Sequence, residues 1–463
     1  MDFKELEEAL VYKKKNGFDL LSAEELEEVW SFAEEYKAYL DASKTEREAV
    51  CESERIALAN GFEKYQSGKK YKTGDKIYKI NRDKSIMLVR FGKKDISEGV
   101  NIAAAHIDSP RLDLKPCPVY ESADMAFFKT HYYGGIKKYQ WTTIPLSLHG
   151  VVVKADGERV TVTVGEEDTD PIFYITDLLP HLAADQMQKT ISTAIPAESL
   201  NVLIGSQKIE SEDVKDRVKL YALSLLNEKY GICEADFISA ELTLVPAAKA
   251  RDIGFDRSLI AAYGHDDRVC AYPALKALID TVPVRTSIVC LTDKEETGSD
   301  GNTGLNSNYL FDFITSLATT HGADALDVFE RSACLSADVN AAFDPDYAEV
   351  YEKNNASLIN CGTVLTKYTG ARGKSSTSDA SAEFVGKIRR IFDNNGVIWQ
   401  MAELGKTDVG GGGTVAKYVA NRNIDTIDLG VAVLSMHAPV EAVAKIDIYE
   451  TYKAICAFFK DYE

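Results

Sequence analysis

Ser287-Ile288-Val289-Cys290-Leu291-Thr292-Asp293-Lys294-Glu295-Glu296-Thr297-Gly298-Ser299 passes in one step from a short apolar run to a pair of adjacent carboxylates. The run has the length and β-branched content of a buried strand, which puts both glutamates at a strand mouth. Neighbouring side chains on such a backbone point different ways, so one can bind a metal while the other moves a proton. Adjacent glutamates are also common on solvated helices, and alone they decide little. The rest of the chain changes the reading. His106 stands in Ala103-Ala104-Ala105-His106-Ile107-Asp108-Ser109-Pro110, Asp266 in Gly264-His265-Asp266-Asp267-Arg268, Asp338 in Ser336-Ala337-Asp338-Val339, and His437 in Leu434-Ser435-Met436-His437-Ala438-Pro439-Val440-Glu441. Most of these follow an apolar, strand-like segment.

Working outward, the second half of the chain alternates strand and helix. Arg268 to Leu278 reads as helix, Ile288 to Leu291 as strand, Tyr309 to Thr320 as helix and Ala333 to Ser336 as strand. Ala380 to Phe392 reads as helix and Ile424 to Leu429 as strand, with Asp447 capping a last amphipathic helix. Such alternation predicts an α/β/α sandwich on a mixed, largely parallel sheet, with ligands at the carboxyl ends of the strands. The first sixty residues read as helical, with capping boxes at Ser22/Glu25 and Thr45/Glu48 and a stop at Asn60-Gly61. Strands follow at Ser85 to Arg90 and Asn101 to His106. From 116 to 244 the texture changes to alternating β-branched residues, as in Arg159-Val160-Thr161-Val162-Thr163-Val164. The expected organisation is a catalytic domain in two parts, 1–115 and 245–463, interrupted by a β-rich dimerisation or lid unit at 116–244. Within that unit, Leu178 to Asp185 reads as a loop or the start of a short helix.

Composition narrows the function. A chain of 463 residues that is 45% hydrophobic can bury one large or two medium domains. A net charge of −19 argues against nucleic acid and anionic membrane as partners, since both need a basic footprint. No stretch approaches the roughly 18 consecutive apolar residues of a membrane span. The charged start lacks the apolar core of a secretory signal. Eight scattered cysteines, none in a Cys-x-x-Cys pair, read as free thiols in a reducing compartment. The expectation is a cytoplasmic protein.

His106, Asp266, Glu296, Asp338 and His437 together supply two imidazoles and three carboxylates. Such a set can hold two zinc-like ions about 3.5–4 Å apart if one carboxylate bridges them. Asp266 suits the bridge because it opens a helix after a loop and can face both ions. Asp108, two residues past His106 on extended backbone, lies on the same side and is placed to accept the imidazole's other N–H. Glu295 is left to hold water and take its proton, and water between two divalent cations is acidic enough for a carboxylate base to suffice. Asp267 reads as a helix cap or as support for the ligands. His265 alternates to the opposite side, and His131, His149 and His321 read as structural. Gly410 to Gly413 lacks the Gly-Lys-Ser/Thr ending of a phosphate loop.

These motifs resemble, in order, those of the aspartyl aminopeptidase family of metallopeptidases (peptidase family M18). The matching pieces are His106-Ile107-Asp108-Ser109-Pro110, Asp266-Asp267-Arg268, Glu295-Glu296-Thr297-Gly298-Ser299, Ser336-Ala337-Asp338 and Ser435-Met436-His437. Tyr133-Gly134-Gly135 and Leu179-Pro180-His181-Leu182 extend the likeness into the β unit. The resemblance implies a dizinc aminopeptidase, with cobalt or manganese as other occupants, assembled as a homododecamer of dimers and acting on peptides with a free N-terminus. Carried over, one metal takes His106 and Asp338, the other Glu296 and His437, with Asp266 shared and Glu295 as general base. Lys374 matches a lysine suited to an acidic substrate side chain. The chain departs from acidic-specific members at Ala337-Asp338-Val339-Asn340-Ala341, where they resemble Ala-Asp-Met-Ala-His. It also has Asp185 where they carry a histidine thought to reach a neighbouring subunit, and a carboxylate there would disfavour an anionic side chain.

Two other classes stand beside this reading. A carboxypeptidase or N-acyl amino acid deacylase would use a similar dizinc set, but such relatives keep the first histidine and bridging aspartate close. Here 160 positions separate His106 from Asp266. A non-catalytic metal-stabilised peptide-binding scaffold has no use for Glu295, because a general base adds nothing to folding.

Overall fold

A computed structural model describes residues 2–463. Its centre is a nine-stranded mixed sheet in the order Glu63–Lys64, Lys76–Asn81, Ser85–Arg90, Ser287–Thr292, Asn101–His106, Ala333–Ala337, Asp425–Gly430, Thr363–Thr366, Trp399–Met401. Four adjacent strands in the middle, from Ser287–Thr292 to Asp425–Gly430, are mutually parallel. The outer pairings mix both senses.

The period-two alternation of strand side chains divides the core into two layers. Ala103, Ala105, Val289, Leu291 and Leu335 face one layer, packed with Tyr36, Val269 and Phe458 from helices Ala23–Ala42, His265–Asp280 and Lys445–Asp461. Ile102, Ala104, Ile288, Cys290 and Cys334 face the other, against Leu310 and Phe313 of Tyr309–His321 and Val328 of Ala325–Arg331. Strands buried on both faces read as near-continuous apolar runs, which is how these three appear in the sequence.

A second sheet of seven antiparallel strands runs from Arg111 to Pro246 in the order Arg159–Val164, Leu146–Val153, Ala240–Pro246, Arg111–Ser122, Met125–Tyr133, Val202–Gly205, Tyr174–Ile175. It has its own core around Trp141, Phe128 and Leu244. A third, five-stranded sheet contains Leu259–Ala262 paired antiparallel to Glu441–Ala444.

Both capping boxes form, at Ser22/Glu25 and Thr45/Glu48. Leu178 to Asp185 resolves into a 3-10 turn at Pro180–Leu182 followed by a short helix, Ala184–Met187. The helix expected from Ala380 begins at Ala382, because Ser381 caps it by accepting the Phe384 N–H at 3.2 Å. Asp447 is not a cap. The last helix starts two residues earlier, at Lys445, and the buried Asp447 carboxylate instead accepts the N–H groups of Asn360 at 2.8 Å and Gly362 at 2.7 Å. It ties that helix to a distant loop.

Candidate metal centre and active site

Three parallel strands deliver the site. Asn101–His106 ends on His106, Ser287–Thr292 runs register-matched beside it (Thr292 opposite His106), and Ala333–Ala337 stops one residue short of Asp338. Behind Thr292 the chain turns sharply, with Lys294 at φ +70° and Ser299 at φ +61°, and so leaves Glu295 and Glu296 at the strand mouths. Asp338 is held by its N–H donating to Leu429 O at 2.9 Å. The close approach needs a glycine, since a Cβ on Gly430 would sit 1.7 Å from the Asp338 carbonyl oxygen.

The five residues proposed as ligands converge. Asp266 presents one oxygen to each imidazole: Oδ1 lies 3.0 Å from His106 Nε2 and Oδ2 lies 3.2 Å from His437 Nε2. Asp338 Oδ1 is 3.7 Å from His106 Nε2, and Glu296 Oε1 is 3.5 Å from His437 Nε2. Glu295 Oε2 stands 3.9 Å from His106 Nε2. The least covered members are His437, 37% exposed, and Glu295, 18% exposed, so the cluster opens toward solvent on their side.

Tautomers follow from the partners. His106 Nδ1 is 3.0 Å from the Asp108 carbonyl oxygen, and His437 Nδ1 is 2.8 Å from the Gly135 carbonyl oxygen. A carbonyl only accepts, so each Nδ1 carries a proton and a neutral ring turns an Nε2 lone pair toward the carboxylates. A lone pair 3.0 Å from a carboxylate oxygen is a repulsive pairing unless a proton or a metal cation lies between. On protein charges alone, burial opposes a second proton on each ring but the carboxylates outweigh it and favour one, and a divalent cation would take that proton's place. His106 Nε2 and Glu296 Oε1 are moreover buried with no hydrogen-bond partner. His106, Asp266 and Glu296 bring ligand atoms within 4.8 Å of one another, as do His106, Asp267 and Asp338. On this donor chemistry the residues fit divalent metal ions.

Electrostatics point the same way. On protein charges alone, burial and then the Asp338 carboxylate push Glu295 up to about 8. Burial and Asp266 push Glu296 well above the usual carboxylate range. Asp266 is drawn below its ordinary value although burial opposes it, because both imidazoles bond to its charged form. Divalent cations among these groups would reverse the upward shifts.

Asp108 does more than face His106. Its carboxylate, 3.3 Å from His106 Nδ1, accepts the Glu295 and Glu296 N–H groups at 3.1 and 3.2 Å and the Tyr133 hydroxyl at 2.7 Å. It thereby fixes the backbone of both glutamates. Tyr133 and Gly135 come from the seven-stranded sheet's side of the molecule, so that sheet contributes directly to the centre. At Gly134, φ +73°, a Cβ would lie 3.0 Å from Glu296 Oε2. Ser109 and Arg268 brace the Asp266 backbone: Ser109 Oγ donates to Asp266 O at 2.5 Å and accepts from Arg268 Nη1 at 2.9 Å.

Asp267 is fully buried, with neither carboxylate oxygen hydrogen-bonded. His265 turns away from the cluster to Tyr36 Oη, 2.8 Å, and Ile260 O, 3.2 Å. Lys374 is not among the cluster's contacts. Its Nζ pairs with Asp379 at 2.9 Å and lies 3.7 Å over the Tyr368 ring, at the edge of a cavity of about 100 Å³. Asp185 is exposed and lines a separate cavity with Asp177 and Lys189. One residue closes the His437 motif yet was assigned no role from the sequence: Glu441, buried beneath both Asp266 and His437.

Residues 39–459 match a family model described as Aminopeptidase I zinc metalloprotease (M18). The chain belongs to the M18 family of aminopeptidases. It is 46% identical over 461 residues to a probable M18 family aminopeptidase 1 of Clostridium acetobutylicum, covering 98% of this chain and 99% of that one. It superimposes on the crystal structure of an M18 family aminopeptidase from Thermotoga maritima with a TM-score of 0.93 at 44% identity, covering 97% of this chain and all of the other. The mApe1 dodecamer of S. cerevisiae shares the fold at 22% identity and a TM-score of 0.76, over 93% of this chain and 96% of that one. Membership makes this M18 chain a metallopeptidase that removes residues from the amino end of peptides, not a carboxypeptidase, a deacylase or an inert scaffold. No helix among residues 2–463 is long and apolar enough to cross a membrane.

Proposed function

We propose that this chain is a dinuclear aminopeptidase. One ion would be held by His106, Asp338 and Asp266 Oδ1, the other by His437, Glu296 and Asp266 Oδ2. The observation that carries the reading is Asp266, whose two oxygens face two different imidazoles at 3.0 and 3.2 Å. Zinc bound there would polarise the scissile carbonyl and acidify a nearby water.

The protein's own groups then have distinct tasks. Glu295, the most solvent-facing carboxylate of the cluster, takes a proton from the attacking water and passes it to the leaving amine. Asp108 holds Glu295 in place through its main-chain N–H. Five carboxylates (Asp108, Asp266, Glu295, Glu296, Asp338) against two imidazoles favour a substrate's terminal amine over a terminal carboxylate at this point. Lys374 is proposed as a contact for the substrate's first side chain, from its place in the cavity with Tyr368 and Arg372.

We further propose that the 116–244 segment serves in dimerisation or as a lid, and that the working form is a homododecamer in the cytoplasm. Ile172, Leu178, Leu179, Leu182, Met187 and Ile191 are exposed apolar side chains within twenty residues of one another in the chain, and a second copy would cover them. Eight unpaired cysteines suit a reducing compartment.

The test is Glu295→Gln in full-length protein of known metal content. It should keep two ions per chain yet lose about 10²- to 10⁴-fold in kcat on amino-acid anilides with a free amine. Chelation should silence the wild type, and zinc or cobalt should restore it. N-acetylated anilides should resist the enzyme. On a panel differing only in the first residue, Lys374→Ala should affect acidic residues alone. A Glu295→Gln variant with normal turnover removes the base, and indifference to chelator removes the metals.

A further inference from the structure

Glu441 stands at the start of the strand Glu441–Ala444, directly opposite Ala262 of Leu259–Ala262. That partner strand leads through Gly264 into Asp266, and Glu441 itself follows His437 by four residues. The side chain is therefore placed between the two segments that deliver the shared carboxylate and the solvent-side histidine. It is 2% exposed. One oxygen, Oε2, accepts the Asp266 N–H at 3.0 Å, and the other, Oε1, accepts the His437 N–H at 2.7 Å.

The second contact has a particular reason to exist. His437 has φ +66° and Ser435 φ +58°, left-handed values that residues with a Cβ adopt only when the surroundings hold them. The His437 ring is fixed through Nδ1 to Gly135 O, but that bond orients the ring and leaves the backbone free. Glu441 supplies the backbone restraint and refers it to Asp266. His106 and Asp338 have independent anchors, on the strand Asn101–His106 and the Asp338 N–H to Leu429 O bond.

Resting on the dinuclear reading above, we infer that Glu441 is the positioning residue of the second metal site. It sets the spacing between Asp266 and His437 and has little influence on the His106/Asp338 site. Replacing it with glutamine keeps the volume but turns an NH2 group toward one of the two N–H donors, so one hold becomes a repulsion. Outer ligands of this kind change metal affinity by about 10- to 100-fold.

The experiment is a competitive chelator titration of zinc into the full-length metal-free chain, wild type against Glu441→Gln, with the cobalt-substituted absorption spectrum as a second readout. The wild type should take up two ions in two steps. The variant should lose at least about tenfold in one of the two steps, with the other nearly unchanged. Glu441→Asp, which keeps both acceptors on a shorter arm, should fall between them, and it decides the matter if the glutamine variant does not fold. Equal loss at both steps, or none at either, overturns the inference while leaving two metals in place. A wild type that binds fewer than two ions overturns both this inference and the dinuclear reading.

Discussion

His149 offers a perturbation whose size can be worked from the structure. It lies on Leu146–Val153 of the seven-stranded sheet, 3% exposed, where that sheet meets the helix Glu46–Ala59. Nδ1 is 2.7 Å from Glu48 Oε1, and Nε2 is 3.0 Å from Glu166 Oε1 and from Ser147 Oγ. Lys44 Nζ joins Glu166 at 2.8 Å. Both ring nitrogens face carboxylates, which only accept, so the ring carries both protons as an imidazolium. Burial lowers its pKa, but the bonds to Glu166 and Glu48 outweigh burial and raise it from 6.5 to about 9. The folded state therefore binds a proton that the unfolded chain has released. The stabilisation is complete below about pH 6.5 and is lost as pH rises through about 9. At about 1.36 kcal/mol per unit, the whole effect is about 3 kcal/mol. Urea unfolding of the wild type and His149→Gln at matched concentration, from about pH 6 to about pH 10, measures it. The stability gap should be widest near pH 6 and narrow by about 3 kcal/mol by pH 10. A gap of constant size across that range would refute the buried imidazolium.

Two further outcomes are expected. Tyr133→Phe removes one of three donors from the buried Asp108 carboxylate, a hydrogen bond to a charged group worth about 1.5–3 kcal/mol. It should lower kcat by about 10- to 100-fold with both ions still bound, and unchanged kcat would mean that the two glutamate N–H groups hold Asp108 alone. Light scattering on the 463-residue, 51.0 kDa chain should return the mass of a dodecamer, and a lone dimer would end the assembly proposal.

The sequence carried local structure well wherever neighbours in the chain are also the physical partners. Ser22 with Glu25 and Thr45 with Glu48 are three residues apart and close on each other, so both helix starts were legible. The runs at 85–90 and 101–106 are buried on both faces and coincide with strands to the residue. Failures came where the partner was remote. Asp447 has the composition of a cap, yet its carboxylate answers to Asn360 and Gly362, 87 and 85 residues away. His149 reads as structural and stands away from the cluster, but its partners Glu48 and Glu166, 101 and 17 residues away, were not legible beforehand.

Residue type and spacing by themselves determined the class of chemistry: two histidines and several carboxylates at strand ends can do little but bind cations and move protons. Only the tertiary structure decided which oxygen faces which ring, that Asp108 answers to the glutamate backbone and Tyr133 as well as to His106, and that Glu441 underlies the second half of the site. The physical reason is reach. A pattern along the chain records each residue's own backbone and burial, whereas a hydrogen bond between positions 175 apart exists only after the sheets have packed.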